Sequence, residues 1–228
     1  SFPPSIGVYT KELNPLLVID VEKNIDSFGY PNCLSINAEG NLVVGCYNYG
    51  LDNTILIYDV SDMNNKKATL KDTITISDEH IDDYFTLGIY DIVTDEQDNM
   101  ILSGFYSTYL LWINKDGEII RVVDVKNIIN GLCIDGEGNI YVTSPWNGII
   151  YKLSPTGQTI WQSNLGVSLL FYITMNSKGM LFVSDPIHNV VLVISGVNAL
   201  PPNPSKPKPE KTNASFFFSF DKTTLTEE

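Results

Sequence analysis

The chain repeats one structural unit at least four times. The clearest copy, residues 131–157, reads "GLCIDGEGNIYVTSPWNGIIYKLSPTG" and places the pair Gly138-Asn139 between two short apolar runs. Matching pairs occur at Gly40-Asn41, Asp98-Asn99 and Gly179-Met180, so successive copies are offset by 58, 40 and 41 residues. Self-similarity at a period of about 40 residues is typical of repeat architectures. The chain is therefore expected to fold as a series of similar units.

Each copy has the sequence pattern of a buried antiparallel meander. An apolar run ends in Asn or Asp, and Gly or Asp follows three residues later, which indicates a type I turn followed by a left-handed residue. The next run ("NLVVGC", "NMILSGF", "NIYVTS" or "MLFVSD") is apolar on both sides and is predicted to be buried on both faces. A third apolar run and a more polar fourth run complete the unit. Four antiparallel strands in about 40 residues are typical of a propeller blade, so we predict an all-β β-propeller.

The number of blades in the ring stays open. The 58-residue offset leaves room for an insertion within residues 61–85, and the segment "SIGVYTKELNPLLVIDVEKN" supplies only half a blade before the first repeat. The chain thus contains about four and a half four-stranded blades, and a propeller must close to bury its sheet edges. Either the N-terminal strands complete the last blade of a five-bladed ring, or an upstream piece is missing from a six-bladed ring. Residues 1–196 are assigned to the propeller.

Residues 197–228 are assigned to a Pro/Lys-rich linker followed by an extended, apolar C-terminal arm. The prolines between positions 201 and 209 favour an extended linker. The arm carries four phenylalanines that are too apolar to stay in water, namely Phe216, Phe217, Phe218 and Phe220. Two placements stay open: an edge strand on the chain's own propeller, or an arm that reaches a neighbouring subunit or another protein. The second placement predicts a protein partner or self-association through the arm.

Charge and composition exclude several classes of partner and site. With 27 acidic and 14 basic residues the net charge is −13, and such a surface repels nucleic acid phosphates and anionic membranes. No apolar run is long enough to span a bilayer. The three cysteines, Cys33, Cys46 and Cys133, form no CxxC pair and are expected to be buried free thiols. The chain begins at Ser1 without an initiator Met or a signal-type apolar segment, so the compartment stays open.

The repeats resemble those of the NHL-repeat and SMP-30/gluconolactonase-like propellers. The residues that carry the resemblance are "IDGEGNIYVTSPWNGIIYKLSPTG" and "SDPIHNVVLVI", which are similar to the NHL pattern of Asp-x-x-Gly-Asn, an apolar strand, Asp, Asn-His and a final apolar strand. Some NHL propellers bind RNA with a surface that carries a basic residue after the Asn-His turn, but this chain has Gly148-Ile149 and Asn189-Val190 there. The resemblance therefore implies the propeller fold without the RNA-binding surface.

The resemblance also implies a candidate metal site. SMP-30-like lactonases hold one divalent ion in the central channel with Glu, Asn and Asp oxygens. Here Asn32 and Asn130 come just before the innermost strands of their blades, and Asp91 falls one place further along in its own blade. Such oxygen ligands would suit Ca²⁺ or another divalent cation. The alternative is that these side chains bond backbone groups at strand ends and that no cofactor is bound.

Aromatic residues follow the second strand of three repeats, and they form either blade packing or a recognition face on one side of the disc. They are Tyr47, Tyr49, Phe105, Tyr106, Tyr109 and Trp146. The sequence contains no nucleophile elbow, phosphate-binding loop or His-based catalytic motif. We therefore interpret the chain as a non-enzymatic propeller that acts as a protein-interaction or structural module, with Tyr106, Tyr109, Trp146 and the arm phenylalanines as contact residues. The alternative is a metal-dependent, lactonase-like hydrolase with Asn32, Asp91 and Asn130 in the channel.

Overall fold

A computed structural model shows the chain as a series of antiparallel sheets. It describes residues 5–10, 12–21, 30–47, 53–62, 65–76, 84–85, 88–167, 169–195 and 214–218. For Tyr47 and for residues 214–218 only the backbone is described. These residues contain almost no helix and form eighteen strands, which confirms the all-β prediction. In the same ranges, no helix has the length and apolar character needed to cross a membrane.

Four consecutive sheets form blades in which neighbouring strands pair antiparallel. The first blade contains β3 (Tyr30–Ile36), β4 (Leu42–Tyr47), β5 (Thr54–Asp59) and β6 (Thr69–Thr75). The second contains β7 (Ile89–Thr94), β8 (Met100–Gly104), β9 (Tyr109–Ile113) and β10 (Ile119–Asp124). The third contains β11 (Leu132–Ile134), β12 (Ile140–Ser144), β13 (Ile149–Leu153) and β14 (Thr159–Asn164). The fourth has three described strands, β15 (Ile173–Met175), β16 (Leu181–Asp185) and β17 (Val190–Ile194). The four blades are arranged as a propeller, with β3, β7, β11 and β15 innermost.

A fifth sheet combines strands from both ends of the chain in the order β18-β1-β2. Its members are β1 (Ser5–Thr10), β2 (Pro15–Asp20) and β18 (Ala214–Phe218). β18 pairs with β1 from Ile6–Phe218 to Thr10–Ala214, and both strands lie beside β3 of the first blade. This pairing corresponds to the edge-strand placement of the arm. Capture of a partner by the arm stays a prediction, as does the number of blades in the complete ring, and Phe220 lies outside the described residues.

The turns between the first and second strands of each blade have the predicted geometry. The residue at the left-handed position has a φ of 84°, 62°, 79° and 72° at Gly40, Asp98, Gly138 and Gly179. In each turn, the side-chain oxygen of the Asn or Asp that follows the inner strand accepts the backbone N–H of the residue directly before the second strand. The distances are 2.8 to 3.0 Å, in the pairs Asn37–Asn41, Asp95–Asn99, Asp135–Asn139 and Asn176–Met180. The Asn or Asp at the end of each inner strand therefore closes the turn itself.

Apolar layers between consecutive sheets hold the blades together. Faces of the first and second blades share one cluster, the second and third share another, and the third and fourth share a third. The β1–β2 sheet packs on the other face of the first blade. Leu42–Cys46 of β4 and all of β8 and β12 are buried, as predicted. The same prediction is wrong for β16, in which buried and half-buried residues alternate, because no described sheet covers its second face.

Candidate functional site

The innermost strands of the four blades surround a cavity of about 430 Å³. β3, β7, β11 and β15 each contribute consecutive residues to its wall. The lining side chains with a polar or ionisable group belong to Asn32, Cys33, Ser35, Asp91, Cys133, Tyr172 and Thr174. Among the described residues that line the cavity, Asp91 is the only one with a carboxylate or a basic group. The cavity is the central channel of the propeller, and it contains two of the three predicted ligands.

The inner strands β3 and β7 each begin with a bulge that sets the orientation of Asn32 and Asp91. In β3 the register shifts between Pro31 and Cys33, and in β7 it shifts between Ile89 and Asp91. Two consecutive residues therefore face one residue of the next strand, which turns one side chain away from the ladder. Asn32 takes the first bulge position in its blade, whereas Asp91 takes the second. Because the two bulges match, Tyr90 is structurally equivalent to Asn32 and Asp91 to Cys33, so the one-residue offset of Asp91 in the sequence is also present in the structure.

The Asn32 side chain connects the inner strands of the first and second blades. Its amide nitrogen donates to the backbone oxygen of Tyr90 at 2.6 Å and to that of Ile89 at 3.3 Å. Both acceptors lie at the start of β7, where the bulge leaves carbonyl groups outside the β7–β8 ladder. Asn32 therefore acts as a polar link between two blades, which is the backbone-bonding role that the sequence left as an alternative.

Asp91 makes the equivalent connection between the second and third blades. One carboxylate oxygen accepts the backbone N–H of Leu132 at 2.7 Å, and the other accepts the N–H of Ile92 at 2.9 Å. Burial raises the pKa of Asp91 to about 7, although these two hydrogen bonds act in the opposite direction. Burial, and then the nearby Asp91 carboxylate, also raises the pKa of the Cys33 and Cys133 thiols. The channel wall is thus a poor environment for negative charge.

Asn130 lies directly before β11 and is buried. Its backbone N–H donates to the backbone oxygen of Thr143 at 2.9 Å. Its backbone oxygen accepts a hydrogen bond from the hydroxyl of Ser103 in the second blade. It is not among the residues that line the cavity. Among the described residues, no group of three or more His, Cys, Asp or Glu side chains is placed to hold a metal ion. An ion held by Asn32, Asp91 and Asn130 stays a prediction.

Two tyrosines stack at the end of the channel where the inner strands begin. Tyr90, in the second blade, and Tyr172, just before β15 of the fourth, have ring centroids 5.4 Å apart and planes inclined by 24°. Phe105 contacts the Tyr90 ring edge-to-face at 4.8 Å. Burial and then the interaction with Tyr172 raise the pKa of the Tyr90 hydroxyl, so both hydroxyls stay protonated near neutral pH. This end of the channel is therefore an aromatic surface.

The same end of the disc carries an apolar residue on each of three successive turns. The turns join the second and third strands of the second, third and fourth blades, and in each the second residue after the end of the second strand is exposed. These residues are Tyr106, Trp146 and Ile187, which are 63%, 54% and 51% exposed. We call these three residues the turn face. Tyr106 and Trp146 were predicted as contact residues, whereas Ile187 was missed, although its equivalent position in the repeat could have identified it.

Two other aromatic candidates, Phe105 and Tyr109, pack within the protein. Tyr109 is half-buried and contacts Tyr84 edge-to-face at 5.2 Å, and Phe105 packs on Tyr90 as described above. This arrangement fits blade packing, the alternative that the sequence left open for these residues. The side chain of Tyr47 and those of the arm phenylalanines 216–218 are outside the description, as is Tyr49.

Tyr106 has a backbone conformation that is unusual for an aromatic residue. Its φ is +54°, in the left-handed region. For a residue with a Cβ this region costs about 1–2 kcal/mol, and it is a marked outlier for a bulky side chain. No described packing contact accounts for the side chain, because most of the ring is in solvent. Strain of this kind at an exposed aromatic residue is a structural reason to examine the turn for a binding role.

The turn that presents Ile187 is held by a hydrogen-bonded side-chain pair. His188 Nδ1 lies 2.7 Å from Asp185 Oδ2, and the backbone N–H of His188 donates to Oδ1 of the same carboxylate at 3.2 Å. Burial favours the neutral form of Asp185, but the hydrogen bonds from His188 and from the Ile187 backbone outweigh it and lower the Asp185 pKa. The carboxylate therefore stays charged and orders the turn beneath Ile187.

Comparisons with known proteins support the fold alone. No protein-family model matches the chain, and no curated protein matches it either. A protein of unknown function from Bacteroides caccae is similar in structure, with a TM-score of 0.63 and 13% identity over 85% of this chain and 72% of that chain. Inactive virginiamycin B lyase from Staphylococcus aureus, solved with quinupristin, gives 0.53 and 12% over 76% of this chain and 58% of that chain. Glutaminyl cyclase from Myxococcus xanthus gives 0.51 and 16% over 75% and 72%.

These structural similarities confirm the β-propeller fold. They carry no information on the activity of this chain, because the sequence identities are low. The chain spans less than two thirds of the lyase and somewhat more of the other two proteins. The resemblance to NHL-repeat and SMP-30-like propellers is not matched by a family model and stays a prediction.

Proposed function

We propose that this chain is an interaction module that binds an apolar segment of a protein partner on the turn face, beside the Tyr90–Tyr172 pair. The observation that carries the proposal is the repeated exposure of Tyr106, Trp146 and Ile187 at equivalent positions of three neighbouring blades. A single exposed apolar residue is ordinary on a protein surface. Three at the same repeat position, all at one end of the disc, offer a partner three apolar contact points, and exposed apolar surface of this kind marks interaction sites.

The composition of the face suits protein recognition. Tyr and Trp provide large contact areas with few rotatable bonds, and both are enriched among residues that dominate binding energies. A rigid propeller holds the three side chains in place, so a partner does not have to order the surface on binding. The backbone strain at Tyr106 supports the same conclusion, because the side chain is presented to solvent at a cost to stability.

The fold neighbours leave the choice between binding and catalysis open, since they include a lyase and a glutaminyl cyclase. The described channel favours binding. Both oxygens of Asp91 accept backbone hydrogen bonds, and Asn32 bonds the backbone of the next blade, so these side chains already have structural roles. The metal-dependent hydrolase is therefore the second proposal, and it is supported only by the positions of Asn32 and Asp91 on the channel wall.

The test is selection of peptides from a displayed random library on the full chain. Binding of the selected peptides is then measured on the variant Y106N/W146N/I187N, in which Asn at position 106 tolerates the left-handed backbone. A matched control, I120N/V122N/I160N, removes three exposed apolar residues from the outer strands β10 and β14.

We expect the turn-face variant to bind at least about a hundredfold more weakly, because each anchor residue contributes more than about 1 kcal/mol. The control should bind the selected peptides as the wild type does. Failure to enrich any peptide, or equal loss of binding in both variants, would contradict the proposed function.

A further inference from the structure

Two asparagine side chains form a hydrogen-bonded row beside Trp146 of the turn face. Asn127 lies in the connection from β10 to β11, and Asn147 directly follows Trp146 in its turn. Asn147 Nδ2 donates to Asn127 Oδ1 at 2.7 Å, and Asn127 Nδ2 donates to the hydroxyl oxygen of Tyr151 at 2.6 Å. Tyr151 is only 3% exposed, so the row begins at a buried group of the third blade and ends at the exposed Asn147 side chain.

The backbone on both sides of Asn127 is bonded to the turn that presents Tyr106. The residues two places before and two places after Asn127 donate their N–H groups to backbone oxygens of that turn at 2.9 Å, in the pairs Val125–Thr108 and Ile129–Ser107. The connection that contains Asn127 is therefore attached to the Tyr106 turn through its backbone and to the Trp146 turn through its side chain. The asparagine row thus joins two neighbouring turns of the turn face.

The Asn147 side chain is held in place but keeps most of its hydrogen-bonding capacity. Its turn is also fixed from the other side, because Asn164 Nδ2 donates to the Asn147 backbone oxygen at 3.2 Å. An asparagine side chain has two N–H donors and one acceptor oxygen. Asn147 uses one N–H in the bond to Asn127, and within the described part of the chain its oxygen and its second N–H have no partner.

An extended peptide backbone has the matching groups. The N–H and C=O of one residue point to the same side of an extended chain, as they do in a hydrogen-bonded pair of antiparallel strands. A helix uses these groups internally along most of its length, so it has no such pair to offer. A segment that lies across the two turns must find partners for its backbone groups as it leaves water. The free oxygen and N–H of Asn147 provide one acceptor and one donor for this purpose.

We propose that the partner segment binds the turn face in an extended conformation and that the Asn147 side chain pairs with the N–H and C=O of one of its residues. Apolar side chains of the segment then contact Tyr106 and Trp146. Asn127 is a positioning residue that keeps the Asn147 amide oriented towards the partner. This inference rests on the proposed function, to which it adds the conformation of the partner and a residue that recognises its backbone.

The peptides selected on the full chain are the probes for the test. Their backbone nitrogens are methylated one residue at a time, which removes a single N–H donor and leaves the side chains unchanged. Binding is measured on wild type, N147A and N127A. The control is Q158A, which removes an exposed amide side chain from the turn between β13 and β14, at the opposite end of the disc. Circular dichroism verifies folding, and N147S replaces N147A if that variant is unfolded.

We expect N147A to bind the unmodified peptides at least about tenfold more weakly, because two hydrogen bonds are lost. N127A should show a smaller loss, since it keeps the Asn147 amide and removes only its support. Methylation at one position should weaken binding to wild type at least about tenfold, but binding to N147A by less than about threefold. This non-additivity identifies the N–H that Asn147 accepts. Q158A should bind as the wild type does.

The outcomes separate this inference from the proposed function. If the selected peptides lose binding on Y106N/W146N/I187N but bind N147A as they bind wild type, the proposed function stands and the inference is wrong. Equal effects of methylation on wild type and N147A overturn it as well, as do selected peptides that are helical when bound. If no peptide is enriched, both the proposed function and this inference fail.

Discussion

Asn32 on β3 donates its side-chain amide to the backbone oxygen of Tyr90 on β7, at 2.6 Å. The bond joins the inner strands of two blades at the wall of the central channel. Asp91 continues the pattern by accepting the N–H of Leu132 on β11. The two side chains that most resemble metal ligands in sequence are therefore inter-blade links in the structure. Their position on the inner strands explains both the resemblance to channel metal ligands and the role as inter-blade links, because a residue that points towards the axis also points towards the neighbouring inner strand.

Asp91 should make the protein less stable as the pH rises through the range from about 4 to about 7. Its pKa is raised to about 7 in the folded chain, whereas an unfolded Asp titrates near 3.9. The folded state therefore binds the extra proton in this window, and its stability is greatest below the unfolded pKa and falls as the pH rises. Each pKa unit corresponds to about 1.4 kcal/mol, so the loss is at most about 4 kcal/mol.

Denaturant unfolding of wild type and D91N at several pH values measures this contribution. The difference between the two isolates Asp91, because all other titrating groups are shared. Wild type should lose stability relative to D91N between pH 4 and 7. Parallel curves for the two proteins would show that Asp91 titrates normally.

Calcium should leave the thermal midpoint of the wild-type chain unchanged at about 5 mM. A ligand that binds only the folded state raises its stability, but both oxygens of Asp91 already accept backbone hydrogen bonds. Differential scanning fluorimetry with and without Ca²⁺ makes the measurement. A rise in the wild type that D91N abolishes would instead favour the metal-dependent hydrolase.

Replacing Gly131 by Ala should destabilise the contact between the third and fourth blades. A Cβ at this position would lie 2.5 Å from the backbone oxygen of Phe171, which itself accepts the Gly131 N–H at 2.9 Å. Two backbones approach too closely for a side chain, so the inner strands must separate. We expect a loss of about 1–3 kcal/mol in the free energy of unfolding, as for other overpacked sites. An unchanged urea midpoint would show that the blades adjust without cost.

Tyr106→Asn should separate stability from binding. The variant keeps a residue that tolerates the left-handed backbone and removes the exposed ring. Because most of the ring contacts solvent, we expect the free energy of unfolding to change by less than about 0.5 kcal/mol. Binding of peptides selected on the turn face should nevertheless weaken. A clear loss of stability would mean that Tyr106 has a packing role, and its strain would then need no functional explanation.

Deleting residues 200–228 should lower the thermal midpoint. β18 pairs with β1 from Ile6 to Thr10, and its removal leaves the inner edge of β1 without this partner. Backbone hydrogen bonds contribute about 1 kcal/mol each, so the loss should amount to a few kcal/mol. Circular dichroism melts of full-length and shortened chains make the comparison. An unchanged midpoint together with weakened self-association would instead support an arm that binds outside its own propeller.

The repeat made the fold predictable because its signals are local. Each turn between the first two strands of a blade is closed by hydrogen bonds among five consecutive residues, as between Asp135 and Asn139 with Gly138 in the left-handed conformation. The residues that determine the turn are therefore neighbours in sequence. The apolar runs predicted buried strands for the same reason. The prediction failed at β16, whose sequence "LFVSD" resembles its counterparts, because burial depends on whether another sheet covers the strand.

The sequence by itself determined the all-β repeat, its turns, the acidic balance of charge and the presence of Asn32 and Asp91 at the starts of the inner strands. These properties depend on neighbouring residues or on composition. The tertiary structure alone decided what the axis-facing residues contact, which turns present exposed residues and which blade face is uncovered. Asn32 and Tyr90 are 58 residues apart in sequence, and Val191 is 61% exposed whereas Ile150, at the equivalent position of the third blade, is 1% exposed. Such relationships arise when blades separated along the chain pack together, and no local pattern records them.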